Sequence, residues 1–122
     1  MINAQELRIG NLIERHFKSS KPNKLLSTTP ITIEEAYKFP KTYNPIPLTK
    51  EWLLAFGFET THQGIIYKLK SIGFRIWRNG SSEQWHFFVP ASTVDGFIVP
   101  LHNVHQLQNL YFTLTNSELT TV

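Results

Sequence analysis

His102 and His105 stand three residues apart at the start of a predicted helix, a spacing at which two imidazoles can converge on one metal ion. A metal centre needs further ligands. The chain has no cysteine, its only aspartate is Asp95, and its other histidines are His16, His62 and His86, so no metal site is expected. The glutamates have ordinary structural explanations. Glu34 and Glu35 fall on a first predicted helix, and Glu51 falls in the first turn of a second, where a negative charge favours the helix dipole. A serine triad is spatial and leaves no fixed spacing, but no serine sits in a Gly-x-Ser-x-Gly elbow. Neither Gly-x-x-x-x-Gly-Lys nor Gly-x-Gly-x-x-Gly occurs, so no phosphate loop is present. The reading assigns no catalytic residue and no cofactor.

Binding chemistry is better represented than catalytic chemistry. The predicted C-terminal helix, about 103–115, carries His105, Gln106, Gln108 and Asn109 and contains no lysine or glutamate. An ordinary solvated face usually carries charges. An uncharged hydrogen-bonding face suits either an internal network or an interface, and the sequence leaves both open. For an interface with a protein partner or small ligand, the contact residues are His105, Gln108 and Asn109, with Trp85 and His86 on the sheet. Aromatic residues are 13% of the chain, enough to fill a core and leave some for a surface.

A second kind of surface follows from strand alternation. Lys68 and Lys70 share one face of their predicted strand, and Arg75 and Trp77 share one face of the next. If the two faces coincide, they make a basic surface with a stacking ring, as proteins that bind single strands use. A shift of register by one residue buries Trp77 and destroys it. A basic loop, with Arg15, Lys18, Lys21 and Lys24 and no acid between them, could add to such a surface or simply be solvated. The C-terminal helix has no cation to offer phosphates.

The elements that must position these groups are legible from punctuation. Leu7–Glu14 reads as a strand entered through a Gly10-Asn11 turn, and Lys24–Thr28 as a second strand. Pro30–Phe39 reads as a helix with Thr32 as its cap, Ile33, Ala36 and Tyr37 as its apolar face, and Pro40 as its stop. Pro45 and Pro47 make 42–48 an extended connector or edge strand. Thr49 caps a helix that Gly57 ends, with Trp52, Leu53 and Phe56 as its buried stripe. Strands follow at 65–70, 74–78, 84–89 and 96–99, the second and third joined through Asn79-Gly80 and the last ending at Pro100. In the final helix Val104, Leu107, Leu110, Tyr111 and Leu114 face the core, and Asn116 closes it.

Strands that pair locally, without βαβ alternation, predict an α+β fold. The expected form is a small antiparallel sheet or partly open barrel with a meander, two short helices, and a C-terminal helix packed on the sheet. With 122 residues the chain is expected to form a single domain, 1–122. No apolar run approaches the roughly 20 residues of a membrane span, and no signal peptide is evident. A cytoplasmic protein of a bacterial cell, with no membrane partner, is the expectation; self-association is left open.

Three segments together resemble a known family. They are Glu6-Leu7-Arg8-Ile9-Gly10-Asn11-Leu12-Ile13, the run Pro45-Ile46-Pro47-Leu48-Thr49-Lys50-Glu51-Trp52-Leu53-Leu54-Ala55-Phe56-Gly57-Phe58, and Val104-His105-Gln106-Leu107-Gln108-Asn109-Leu110-Tyr111-Phe112-Thr113-Leu114-Thr115. In this order and spacing the chain is similar, over nearly its whole length, to small uncharacterised proteins of the Bacteroides and Flavobacterium group of bacteria and of their phages and mobile elements. It departs from the usual pattern at Thr115-Asn116-Ser117-Glu118-Leu119, where Thr-Gly-Glu-Glu-Leu is commoner; Asn can end a helix as Gly does. The resemblance implies a phage or mobile-element setting and no activity. The expected function is therefore a non-enzymatic binding protein, serving host takeover or counter-defence. The alternative is nucleic-acid binding through Lys68, Lys70, Arg75 and Trp77.

Overall fold

The computed structural model describes residues 1–16, 23–61, 64–69, 74–78, 84–89 and 97–122. Lys18 and Lys21 of the basic loop, Lys70, the Asn79-Gly80 turn, His62 and Asp95 lie outside the described residues. In chain order the elements are β1 (Leu12–Arg15), β2 (Lys24–Ser27), α1 (Pro30–Lys38), β3 (Tyr43–Asn44), α2 (Lys50–Ala55), β4 (Glu59–Thr61), β5 (Ile66–Lys68), β6 (Arg75–Arg78), β7 (Trp85–Val89), β8 (Phe97–Leu101) and α3 (Val104–Thr115). Two antiparallel sheets result, ordered β2-β1-β3 and β4-β5-β6-β7-β8. The fold is α+β. The first strands and the meander form separate open sheets, and the described strands do not close into a barrel. No helix among the described residues is long and apolar enough to cross a membrane.

The chain divides into two compact units, Met1–Pro47 with Asn103–Glu118, and Leu48–His102 with Leu119–Val122. The first holds the three-stranded sheet, α1 and α3. Gly10 enters β1 with φ +93°, a conformation that costs other residues roughly 1–2 kcal/mol. Thr29 rather than Thr32 caps α1, its hydroxyl accepting the Thr32 N–H at 3.2 Å. Pro30 follows at the first helical position, where a missing N–H costs nothing. Ala36 turns inward, but Tyr37 stays 59% exposed, because only the Ala36 side of so short a helix meets the core. That core consists of Ile2, Ala4, Ile13, Ala36 and Tyr43, with Leu7 and Leu26 against it.

Tyr43 is buried, and its hydroxyl donates to the Glu35 carboxylate. Burial, then this bond and the Glu35 charge, raise its pKa above the ordinary tyrosine value, against a smaller opposing effect of Arg15. A raised folded-state pKa favours the protonated form in the folded state. Its contribution is complete below about pH 10 and is lost as pH rises through the raised value. Tyr43→Phe is thus expected to cost about 1 kcal/mol at neutral pH. The variant should also lose less stability than the parent between neutral and strongly alkaline pH, as urea unfolding at both will measure.

The second unit holds α2 and the five-stranded meander. Thr49 caps α2 by accepting the Trp52 N–H at 3.4 Å, and Gly57, at φ +92°, ends it. Leu53 and Phe56 are buried, while Trp52 is half-buried. The strand β4 had no sequence signal: Glu59-Thr60-Thr61 is short and polar, and it pairs with β5 as an edge. β8 continues through Pro100 to Leu101, which an edge strand tolerates because one side of its backbone needs no partner. One sheet face is packed by Tyr67, Phe74, Ile76, Trp85, Phe87 and Leu101. Phe74 stacks on Phe87 with ring centroids 4.6 Å apart and meets Phe58 edge-on at 6.1 Å.

Candidate functional site

The uncharged side of α3 is the first candidate. The helix starts at Asn103, whose N–H donates to Gln106 Oε1 at 3.1 Å, and ends at Asn116, which takes the left-handed conformation with φ 58°. Between them the polar side chains turn toward residues 6–12 of the same unit. Gln108 is buried; its Oε1 accepts the Leu12 N–H at 2.8 Å, and its Nε2 donates to the Gly10 carbonyl at 3.4 Å. Asn109 Oδ1 accepts from Asn11 Nδ2 at 2.8 Å and from Arg8 Nε at 3.1 Å, while its Nδ2 donates to the Glu6 carbonyl at 2.6 Å. His105 is 1% exposed and meets Glu6 Oε1 through Nε2 at 2.9 Å. A carboxylate only accepts, so Nε2 carries the proton. The buried Nδ1 has no hydrogen-bond partner among the described residues.

Arg8 and Asn11 complete this network. The Arg8 N–H donates to Asn11 Oδ1 at 2.6 Å, and the Asn11 side chain is fully buried. The Arg8 guanidinium pairs with Glu118 at 2.7 Å and lies 4.2 Å from the centroid of the Phe112 ring. Exposed ion pairs contribute little alone, but here the guanidinium is also oriented by Asn109 and the aromatic face. The Arg8-Ile9-Gly10-Asn11 turn and the amides of α3 therefore belong to one arrangement. The arrangement holds the chain's own backbone, with the Gln108 amide buried inside it.

The face of the five-stranded sheet that carries Trp77 is the second candidate. Register pairs point to the same side of a sheet. Ile66 pairs with Trp77, Trp77 with His86, and His86 with Pro100, so these side chains form one row across β5, β6, β7 and β8. The adjacent row holds Glu59, Lys68 and Arg75 across β4, β5 and β6. Trp77 lies on the central strand and is 41% exposed; Arg75 and Pro100 are exposed, and Ile66, Lys68 and His86 are half-buried. Neither Lys68 nor Arg75 forms an ion pair with a described residue. The Glu59 carboxylate opposite Lys68 offsets part of the positive charge at the β4 end.

No family model, no curated protein and no solved structure matches the chain. Its chemistry must be read from its own residues. Among the described residues no group of three or more metal-ligating side chains comes together. His102 and His105 share no such cluster.

The sequence-derived residues thus fall into three places. His105, Gln108 and Asn109 engage residues 6–12. Trp85 is 2% exposed, donates its indole N–H to the Leu48 carbonyl at 2.9 Å and meets Tyr67 edge-on at 5.2 Å. His86, its neighbour in sequence, points to the opposite sheet face beside Trp77, with Lys68 and Arg75. Arg8, Asn11 and Ile66 were not singled out. The partners of Arg8 and Asn11 lie about a hundred positions away on the C-terminal helix, so no local pattern marks them.

Proposed function

We propose that this chain is a binding protein, and that its ligand is nucleic acid held on the Trp77 face of the five-stranded sheet. The observation that carries the reading is the β5–β6 register, which sets Lys68 beside Arg75 and leaves Trp77 exposed on the same side. A cation pair next to an aromatic ring fits phosphate and base together. An interface built on His105, Gln108 and Asn109 has less support, because those groups are already bonded within the chain. The resemblance to proteins of phages and mobile elements suits such a role, with counter-defence or host takeover as its setting.

Salt provides the test. Each phosphate neutralised on a single strand contributes about −0.7 to the slope of log affinity against log salt. Binding of a labelled oligonucleotide should weaken steeply from low to physiological salt. The K68A/R75A double variant should bind more weakly and show a slope reduced by about 1.4. Salt-independent binding, or an unchanged slope in the double variant, contradicts the reading.

A further inference from the structure

We infer that Trp77 and His86 form a two-ring stacking step for unpaired bases, so that the ligand is a single strand and not a duplex. The inference rests on the nucleic-acid reading and deepens it. Trp77 and His86 are direct cross-strand partners on β6 and β7 and share one face, Trp77 exposed and His86 half-buried. Adjacent strands lie about 4.8 Å apart, so two flat rings side by side there present a platform for neighbouring bases. Lys68 and Arg75 are likewise partners, on β5 and β6, and Arg75 precedes Trp77 by two residues on one strand. Their row runs parallel to the ring row at a distance of about 6.6 Å along the strands.

This pattern assigns different parts of one ligand to different rows. Phosphates follow Lys68 and Arg75, by charge complementarity, and bases lie over Trp77 and His86. Ile66 and Pro100 extend the ring row at either end with apolar surface. Bases inside a duplex are already stacked and paired, and their faces are not available to rings on a sheet. A duplex would therefore gain only the contribution of two cations and forfeit the stacking. The row also explains why His86 belongs with Trp77 while Trp85, one residue earlier, belongs to the core.

The experiment compares a labelled oligothymidylate of about ten nucleotides with a hairpin duplex of similar length, measured by anisotropy on the full chain. The parent protein should bind the single strand at least about tenfold more tightly than the duplex. Trp77→Ala should weaken single-strand binding roughly tenfold or more and His86→Ala about fivefold, while His86→Phe, which keeps a flat ring, should retain it. Circular dichroism and thermal unfolding of each variant separate lost binding from lost folding. Equal affinity for duplex, or an unaltered affinity in a folded His86→Ala variant, overturns the stacking step. Salt-dependent binding lost in K68A/R75A would then still stand for the broader reading. Failure of the parent to bind either oligonucleotide overturns both.

Discussion

Trp85→Ala should destabilise the protein by about 3–5 kcal/mol, whereas Trp77→Ala should cost only about 1 kcal/mol. The two tryptophans sit on adjacent strands, and sheet alternation sends them to opposite faces. Trp85 packs edge-on against Tyr67, and its indole N–H satisfies the Leu48 carbonyl. Truncation opens a cavity and leaves that carbonyl without its donor. Trp77, 41% exposed, has much less burial to lose. Urea unfolding of both variants measures the contrast. A large loss in Trp77→Ala would mean that its ring serves packing, which would weaken the case for a ligand surface.

Asn109→Ala is expected to cost about 2–4 kcal/mol, far more than a half-buried helix residue usually does. Its amide makes three contacts to the N-terminal segment, with Asn11 Nδ2, Arg8 Nε and the Glu6 carbonyl. Removing it strands the amide of Asn11, which is fully buried. Asn109→Asp keeps the acceptor for Asn11 and Arg8 but loses the donor to Glu6, and should fall between parent and alanine. In a double-mutant cycle with Asn11→Ala, the coupling should reach about 1 kcal/mol or more, because the two amides act on each other directly. Additive losses would show that the two side chains act independently.

Local signals in the sequence were informative where one residue settles an outcome. Thr49 and Gly57 bound α2, and Asn116 ends α3 in the left-handed conformation that few residues other than Gly adopt readily. The strands expected at 65–70, 74–78 and 84–89 are observed at Ile66–Lys68, Arg75–Arg78 and Trp85–Val89. Long-range pairing was not legible. Nothing in the composition of α3 says that its amides will bond residues 6–12, about a hundred positions earlier, and an interface explained the same residues equally well. The cap of α1 moved from Thr32 to Thr29 because Pro30 favours the first helical position, which puts the cap one residue before it. β4 was invisible because Glu59-Thr60-Thr61 becomes a strand only through its pairing with β5.

The candidate surface depended on a single undetermined quantity, the β5–β6 register. The strand pattern allowed two registers of opposite consequence, and the one that pairs Lys68 with Arg75 gathers cations and an exposed ring on one side. The same alternation separated Trp85 from His86, which the sequence had grouped because they are neighbours. Lys70 lies outside the described residues, and the candidate surface consists of Lys68, Arg75, Trp77 and His86.

The most direct test of the central claim is an amide chemical-shift titration of the isotope-labelled protein with a short single-stranded oligonucleotide. Perturbations should concentrate on Ile66, Lys68, Arg75, Trp77 and His86, with the amides of α1 and α3 unchanged, and should diminish as salt is raised. Shifts confined to α1 or α3, or no shifts at low salt, would contradict the assignment of the sheet face as the binding surface.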